Sequence, residues 1–212
     1  MEQETKGFFM THLTTIIVAI IAAIPTIVCG WFIYNQSYKD KMTDIKIEQI
    51  KVENDTKFAI NNRNIAYIHG TMWELLHKLE ADRCFIIQPH PEHKHLFLSV
   101  CFEVDRKGVA PVKDFFQHIP VNTMPKFIKD MAANVWLYYD DIAKIDDPKA
   151  QSMMIMAGTK QLVLRQLVDV NSSWIGTLVI ENIDIKGFDK EPAMETISTA
   201  ATSIQYILPP IQ

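Results

Sequence analysis

Glycine is scarce in this chain: seven residues in 212, scattered so that no Gly-rich phosphate-cradling loop can form. Cysteine is scarcer still, at three, and one of these, Cys29, lies inside an apolar run. No basic stripe runs along the sequence and the net charge is −4, so nucleic acid is not an expected partner. Nowhere does a base stand poised toward a nucleophile, or an acid opposite a base, in a pattern that suggests catalysis. No enzyme activity, no catalytic residue and no cofactor is therefore expected. Internal repeats and low-complexity stretches are absent as well.

One absence points to a structure. From Leu13 to Tyr34 there are 22 residues without a charge, LTTIIVAIIAAIPTIVCGWFIY. At about 1.5 Å per residue, such a helix covers the roughly 30 Å of a bilayer's hydrocarbon core. Phe8 and Phe9 stand at one end, Trp31 and Tyr34 at the other, where interfacial aromatics are favoured. No Ala-x-Ala site follows, so an uncleaved single-pass anchor is expected in the inner (plasma) membrane, with the lipid bilayer as partner. Pro25 would kink the span, and Ala19 and Ala23 form a small-xxx-small pair suited to helix approach. The tail, residues 1–12, offers Lys6 alone, whereas Lys39, Lys41, Lys46 and Lys51 follow the span. That asymmetry favours a cytoplasmic C-terminal domain.

Residues 35–64 read as a helical stalk. From Tyr38 to Leu79 the chain is polar and Pro-free, and the apolar positions Phe58, Ile65, Ile68, Met72, Leu75 and Leu79 follow heptad spacing. Two uses fit that stripe: packing on the chain's own domain, or self-association into a homo-oligomer through span and stalk. Gly70 is a candidate joint between two helices.

The texture then changes to a domain over residues 65–212. Cys84–Gln88 and Leu96–Val104 are apolar, rich in β-formers, and separated by the polar turn Pro-His-Pro-Glu-His-Lys-His. Met124–Leu137 reads as helix, Pro125 falling in its first turn, and a loop with Asp140, Asp141, Asp146, Asp147 and Pro148 follows. Gln161–Val170 and Trp174–Glu181 are strands joined by Asn171-Ser172-Ser173. Glu191–Leu208 is an amphipathic helix with Asp189 as cap. Hairpins alternating with helices predict an α+β fold, an antiparallel sheet flanked by helices.

The order of these pieces resembles a GAF domain from about Ile68 to Leu208. The resemblance rests on Ala81-Asp82-Arg83 leading into the strand Cys-Phe-Ile-Ile-Gln, on Gly158-Thr159 where the family often has a turn before its fourth strand, and on the stretch Val170–Asn182 with its short turn and Gly-Thr-Leu strand. Gly187-Phe188-Asp189 is similar to the entry into the last GAF helix. The resemblance implies a ligand- or partner-sensing module, with a small ligand or a regulatory protein as partner. The family's ligand signatures are missing. Asn182 is followed by Ile183 where cyclic-nucleotide binders have Lys, and neither Cys84 nor Cys101 lies in a pocket helix as in tetrapyrrole binders. A narrower resemblance is to the holins of T-even-type phages, carried by Phe102-Glu103, Gly108 to Pro111, Ile119–Met124 and Thr199-Ala200-Ala201. It implies a membrane protein that oligomerises and times host lysis. The alternative is a membrane-tethered cytoplasmic GAF sensor or regulator without catalytic output.

Two small constellations remain. His90, His93 and His95 crowd one turn and could bind a metal such as Zn²⁺, though a solvated turn is the plainer expectation. If the hairpin is centred between Glu92 and His93, positions summing to 185 pair, which sets Cys84 opposite Cys101 as a disulfide or a thiol pair. The acids at 140, 141, 146 and 147 are expected to be caps and solvated turns.

Overall fold

Alternation along one strand organises the domain. The computed structural model describes residues 2–91, 94–183 and 187–211; before residue 39, side chains are described only at Pro25, Cys29, Trp31, Phe32 and 34–37, and that of Ile45 is not. By packing, the chain divides into Met1–Ala59 and Ile60–Gln212. The described residues of the first unit all belong to one helix, α1 (Glu2–Lys78), which runs through Pro25 and Gly70 without interruption. The expected joint at Gly70 is therefore not there. Within this unit Ile47, Ile50, Val52 and Phe58 are exposed, and a Lys57–Glu53 pair at 2.7 Å spans one turn. Among the described residues no helix is long and apolar enough to cross a membrane. The side chains of Leu13, Ala19 and Ala23 lie outside the described residues; Pro25, Trp31 and Tyr34 are exposed.

The second unit is a six-stranded, wholly antiparallel sheet. Its strands are β1 (Arg83–His90), β2 (Phe97–Asp105), β3 (Ile119–Pro120), β4 (Trp136–Tyr139), β5 (Gln161–Val168) and β6 (Trp174–Asn182). They lie side by side in the order β3-β2-β1-β6-β5-β4. Every residue of β1 is buried, as expected for a central strand covered on both faces. Its even positions, Cys84 and Ile86, join Leu178 and Ile180 of β6 in a core with the end of α1 and with α4 (Lys190–Gln205). The odd positions, Phe85 and Ile87, join Leu98, Val100, Leu162 and Leu164 on the opposite face. There α2 (Pro125–Ala133) contributes Phe127, Ile128 and Met131, and α3 (Pro148–Met156) contributes Ala150, Met153 and Met154.

α1 settles the fate of its heptad stripe. Ile68, Met72 and Leu75 are at most 2% exposed in the core of their own domain and Ile65 packs beside them, whereas Phe58 is 69% exposed. Ile68 and Met72 are thus corrected from stalk contacts to core residues. Burying each stabilises the domain by roughly 1.5–3 kcal/mol, more than an exposed helix pair could recover.

Gly176 shows why a glycine opens the Gly-Thr-Leu strand. A Cβ there would sit 3.0 Å from the Ile87 carbonyl oxygen and 3.1 Å from Gln88 Cγ, so β1 and β6 approach only without it. Two elements depart from expectation. The helix expected over Met124–Leu137 ends at Ala133, because Trp136–Tyr139 pair with β5 as the edge strand β4. The expected acidic loop contains α3, started by Pro148 at its first position and by Asp147, whose Oδ1 accepts from the amides of Lys149 and Ala150.

Candidate functional site

Charge inside the sheet marks the most unusual place in the domain. Arg83 alternates with Phe85 and Ile87, so its side chain points to the α2/α3 face, where it is 1% exposed. Register puts Glu181 of β6 opposite it on one side and Asp105 of β2 on the other. Arg83 Nη1 donates to Glu181 Oε2 at 2.8 Å, and its Nε lies 3.4 Å from Asp105 Oδ1 and 3.7 Å from Glu103 Oε1. Thr159 also donates to Glu181 Oε2, at 2.8 Å.

The same cluster grips the connection that leaves β2. Arg83 Nη2 donates to the Ala110 carbonyl at 2.6 Å, and the Glu103 carboxylate accepts the amides of Val112 and Lys113 at 2.6 and 2.7 Å. Next to it, buried Asp82 pairs with Arg106 at 2.5 Å and accepts the amide of Ile183 at 2.7 Å. The end of α1, the segment after β2 and the segment after β6 are tied together at this point.

Three carboxylates against one guanidinium would leave two uncompensated negative charges in a largely dry place, which is costly. Protonation relieves it. Burial pushes Glu181 up to about 7, against the pull of Arg83 and Thr159. Burial and then the neighbouring Glu103 push Asp105 up to about 6. The cluster therefore exchanges protons near neutral pH. Asp82, Arg83, Glu103 and Thr159 enter the sequence reading only within the resemblance motifs, and no member of the cluster was named as a site; the usable signal was an acid or arginine inside an otherwise apolar strand.

At the other end of β1 the histidines separate. His90 Nε2 shares a 2.8 Å hydrogen bond with Ser99 Oγ, which also accepts the His118 amide at 2.8 Å. The His90 and His118 rings are 5.1 Å apart; burial first, then His118, holds His90 below the usual imidazole range. His95 instead stands edge-on to Trp174 at 5.9 Å, and His93 lies outside the described residues. Among the described residues no group of three or more potential ligands could hold a metal.

The cysteine pairing is corrected. The β1–β2 register sums to 187 near the turn and 188 beyond a bulge, so Cys84 faces Val104. Cys101 is the extra residue of that bulge and donates through Sγ to the Ile86 carbonyl at 3.2 Å. The offset arises because six residues, 91–96, close the turn, the Leu96 amide bonding the His90 carbonyl at 3.1 Å. Both cysteines are free thiols, and burial raises both, Cys101 to about 12. The acids after β4 divide between caps and surface pairs: Asp141 and Asp147 accept from backbone amides, Asp140 pairs with Lys144 at 2.6 Å, and Asp146 with Lys126 at 3.2 Å.

No protein-family model and no curated protein sequence matches the chain. Solved structures do. The GAF domain region of a Geobacter sulfurreducens PCA protein superposes with a TM-score of 0.56 at 15% identity, over 71% of this chain and 95% of that one. The GAF domain of Thermosynechococcus elongatus PixJ, in its blue-light-absorbing form, gives 0.55 at 12% identity, over 69% and 88%. The GAF3 domain of Slr1393 from Synechocystis sp. PCC6803, in its photoproduct state, gives 0.54 at 12% identity, over 65% and 88%. Six antiparallel strands between two helical layers, in this order, form a GAF-like fold.

Proposed function

We propose that this chain is a membrane-tethered sensor or regulator of GAF type that passes a signal to a partner and has no catalytic output. The observation that carries the reading is a shared helix. α1 contains the charge-free run Leu13–Tyr34 and also supplies Ile68, Met72, Leu75 and Leu76 to the domain core. A change in packing on the α1/α4 face of the sheet bears directly on that helix. The tether itself rests on the run's length and lack of charge. A cytoplasmic domain is supported by the four lysines after the run. GAF-like neighbours among solved structures favour this sensor over the holin-type lysis protein, for which they offer no support.

The test is expression of the full chain in a bacterial host with a fluorescent protein at its C-terminus. Fluorescence in a carbonate-resistant membrane fraction, without abrupt lysis, is the expected result. Recovery in the soluble fraction would remove the tether. A dark fusion that gains activity when replaced by alkaline phosphatase, together with sudden lysis, would restore the holin reading.

A further inference from the structure

A cleft of about 270 Å³ opens at the end of the sheet where β1 finishes, between the β5–β6 turn and the segment after α4. It is separate from the Arg83 cluster, which occupies the opposite end of β1 and the opposite face. Gln88, Asp169, Trp174, Tyr206 and Leu208 line it, with His95 at its edge.

The wall chemistry is one-sided. Gln88 is 3% exposed, and its Nε2 donates to the carbonyls of Ile175 and Pro209, each at 3.3 Å. Those two bonds fix which end of the amide is oxygen. Its Oε1 is then buried with no hydrogen-bond partner among the described residues. Asp169 accepts the amides of Asn171 and Ser173 through Oδ1 at 2.8 Å, which locks the carboxylate in place. Among the described residues no lysine or arginine lines the cleft. Trp174 Nε1 donates to Thr177 Oγ1 at 3.1 Å, so the indole N–H is already engaged. Tyr206, 68% exposed, adds a second ring.

A fixed carboxylate, an orphan carbonyl oxygen and aromatic walls together suit a positively charged N–H donor with an apolar body. We propose that this cleft binds a small organic ammonium ion. The volume, at the small end of ligand sites (roughly 300–1,000 Å³), limits it to a single ring or a short chain. The inference names a ligand class for the sensor and rests on that reading for its role. Its own test is binding alone, which neither the tether nor topology affects.

The experiment is calorimetric titration of the purified full chain in a neutral detergent, against detergent alone, with phenethylammonium as probe and 3-phenylpropionate as its anionic counterpart. Saturable binding of phenethylammonium at about 1 mM or tighter is expected, with the anion at least tenfold weaker. Asp169→Asn keeps the Oδ1 acceptor and hence the turn, and should weaken the ammonium about tenfold with the melting temperature unchanged. Tyr206→Ala, at an exposed position, should weaken it several-fold. No saturation up to about 10 mM, equal binding of the anion, or Asp169→Asn binding as well as the parent would each overturn the proposal.

Discussion

Arg83 and Glu181, 98 residues apart in sequence, meet through a 2.8 Å charge-assisted hydrogen bond with both side chains sealed from solvent, at 1% and 0% exposure. Breaking a buried pair by removing one partner is far worse than never having built it, because the survivor stays charged in the core. Arg83→Met leaves three carboxylates and also frees the Ala110 carbonyl. Chemical denaturation should show a loss of about 3–5 kcal/mol. A loss under about 1 kcal/mol would mean that the carboxylates are already neutral without the arginine.

The carboxylates set a pH dependence whose sign is fixed by the direction of their shifts. Glu181 rises from 4.5 to about 7 and Asp105 from 3.8 to about 6 on folding. Each holds its proton more tightly folded than unfolded. Their contribution is fully present below about pH 4 and is lost as pH rises through 6 and 7. His90, held below 6.5, acts in the other sense: its contribution is present above 6.5 and is lost as pH falls. From these groups stability should fall as pH rises from about 5 to 7, with His90 offsetting part of the decline. Glu181→Gln, which can still accept from Arg83 and Thr159, should flatten the decline between about pH 5 and 8. Melting temperatures of the two proteins across that range are the measurement, and parallel curves would contradict the assignment.

Cys84 and Cys101 should remain thiols even under oxidising conditions, because the bulge removes the facing register. Burial disfavours the thiolate at both positions, and the thiolate is the reactive form. Alkylation of the native chain followed by mass mapping should find neither of them modified until denaturant is added. Modification of Cys84 at the rate of a free thiol would show that the α1/α4 face opens.

Asp147 is 4% exposed and caps α3 through Oδ1, while Oδ2 accepts the Phe127 amide at 3.4 Å. It thus joins the starts of α2 and α3. Asp147→Ala should cost about 1–2 kcal/mol in denaturation midpoint terms, and Asp146→Ala, on a pair exposed to solvent, under about 0.5. Equal effects at the two positions would refute the cap.

Local pattern carried much of the architecture. Runs of apolar β-formers with Pro-His-Pro or Asn-Ser punctuation reveal β1, β2, β5 and β6, and the stripe through Ile197, Ala201 and Ile204 reveals α4, because these signals depend only on near neighbours. β4 was hidden since four half-buried residues, Trp-Leu-Tyr-Tyr, follow a helix with no glycine or proline between them. α3 was legible in Asp147-Pro148 and was read as a loop. What the sequence by itself determined is the α+β class, most of the element order and the charge-free run at the N-terminus. Only the tertiary structure decided the register. Six turn residues and one bulge moved Cys101 away from Cys84, and the pairing of β1 with β6 brought Glu181 to Arg83. Register is a long-range property: it depends on how a loop closes and on which strand returns from a hundred residues away, and no periodicity within a strand encodes either.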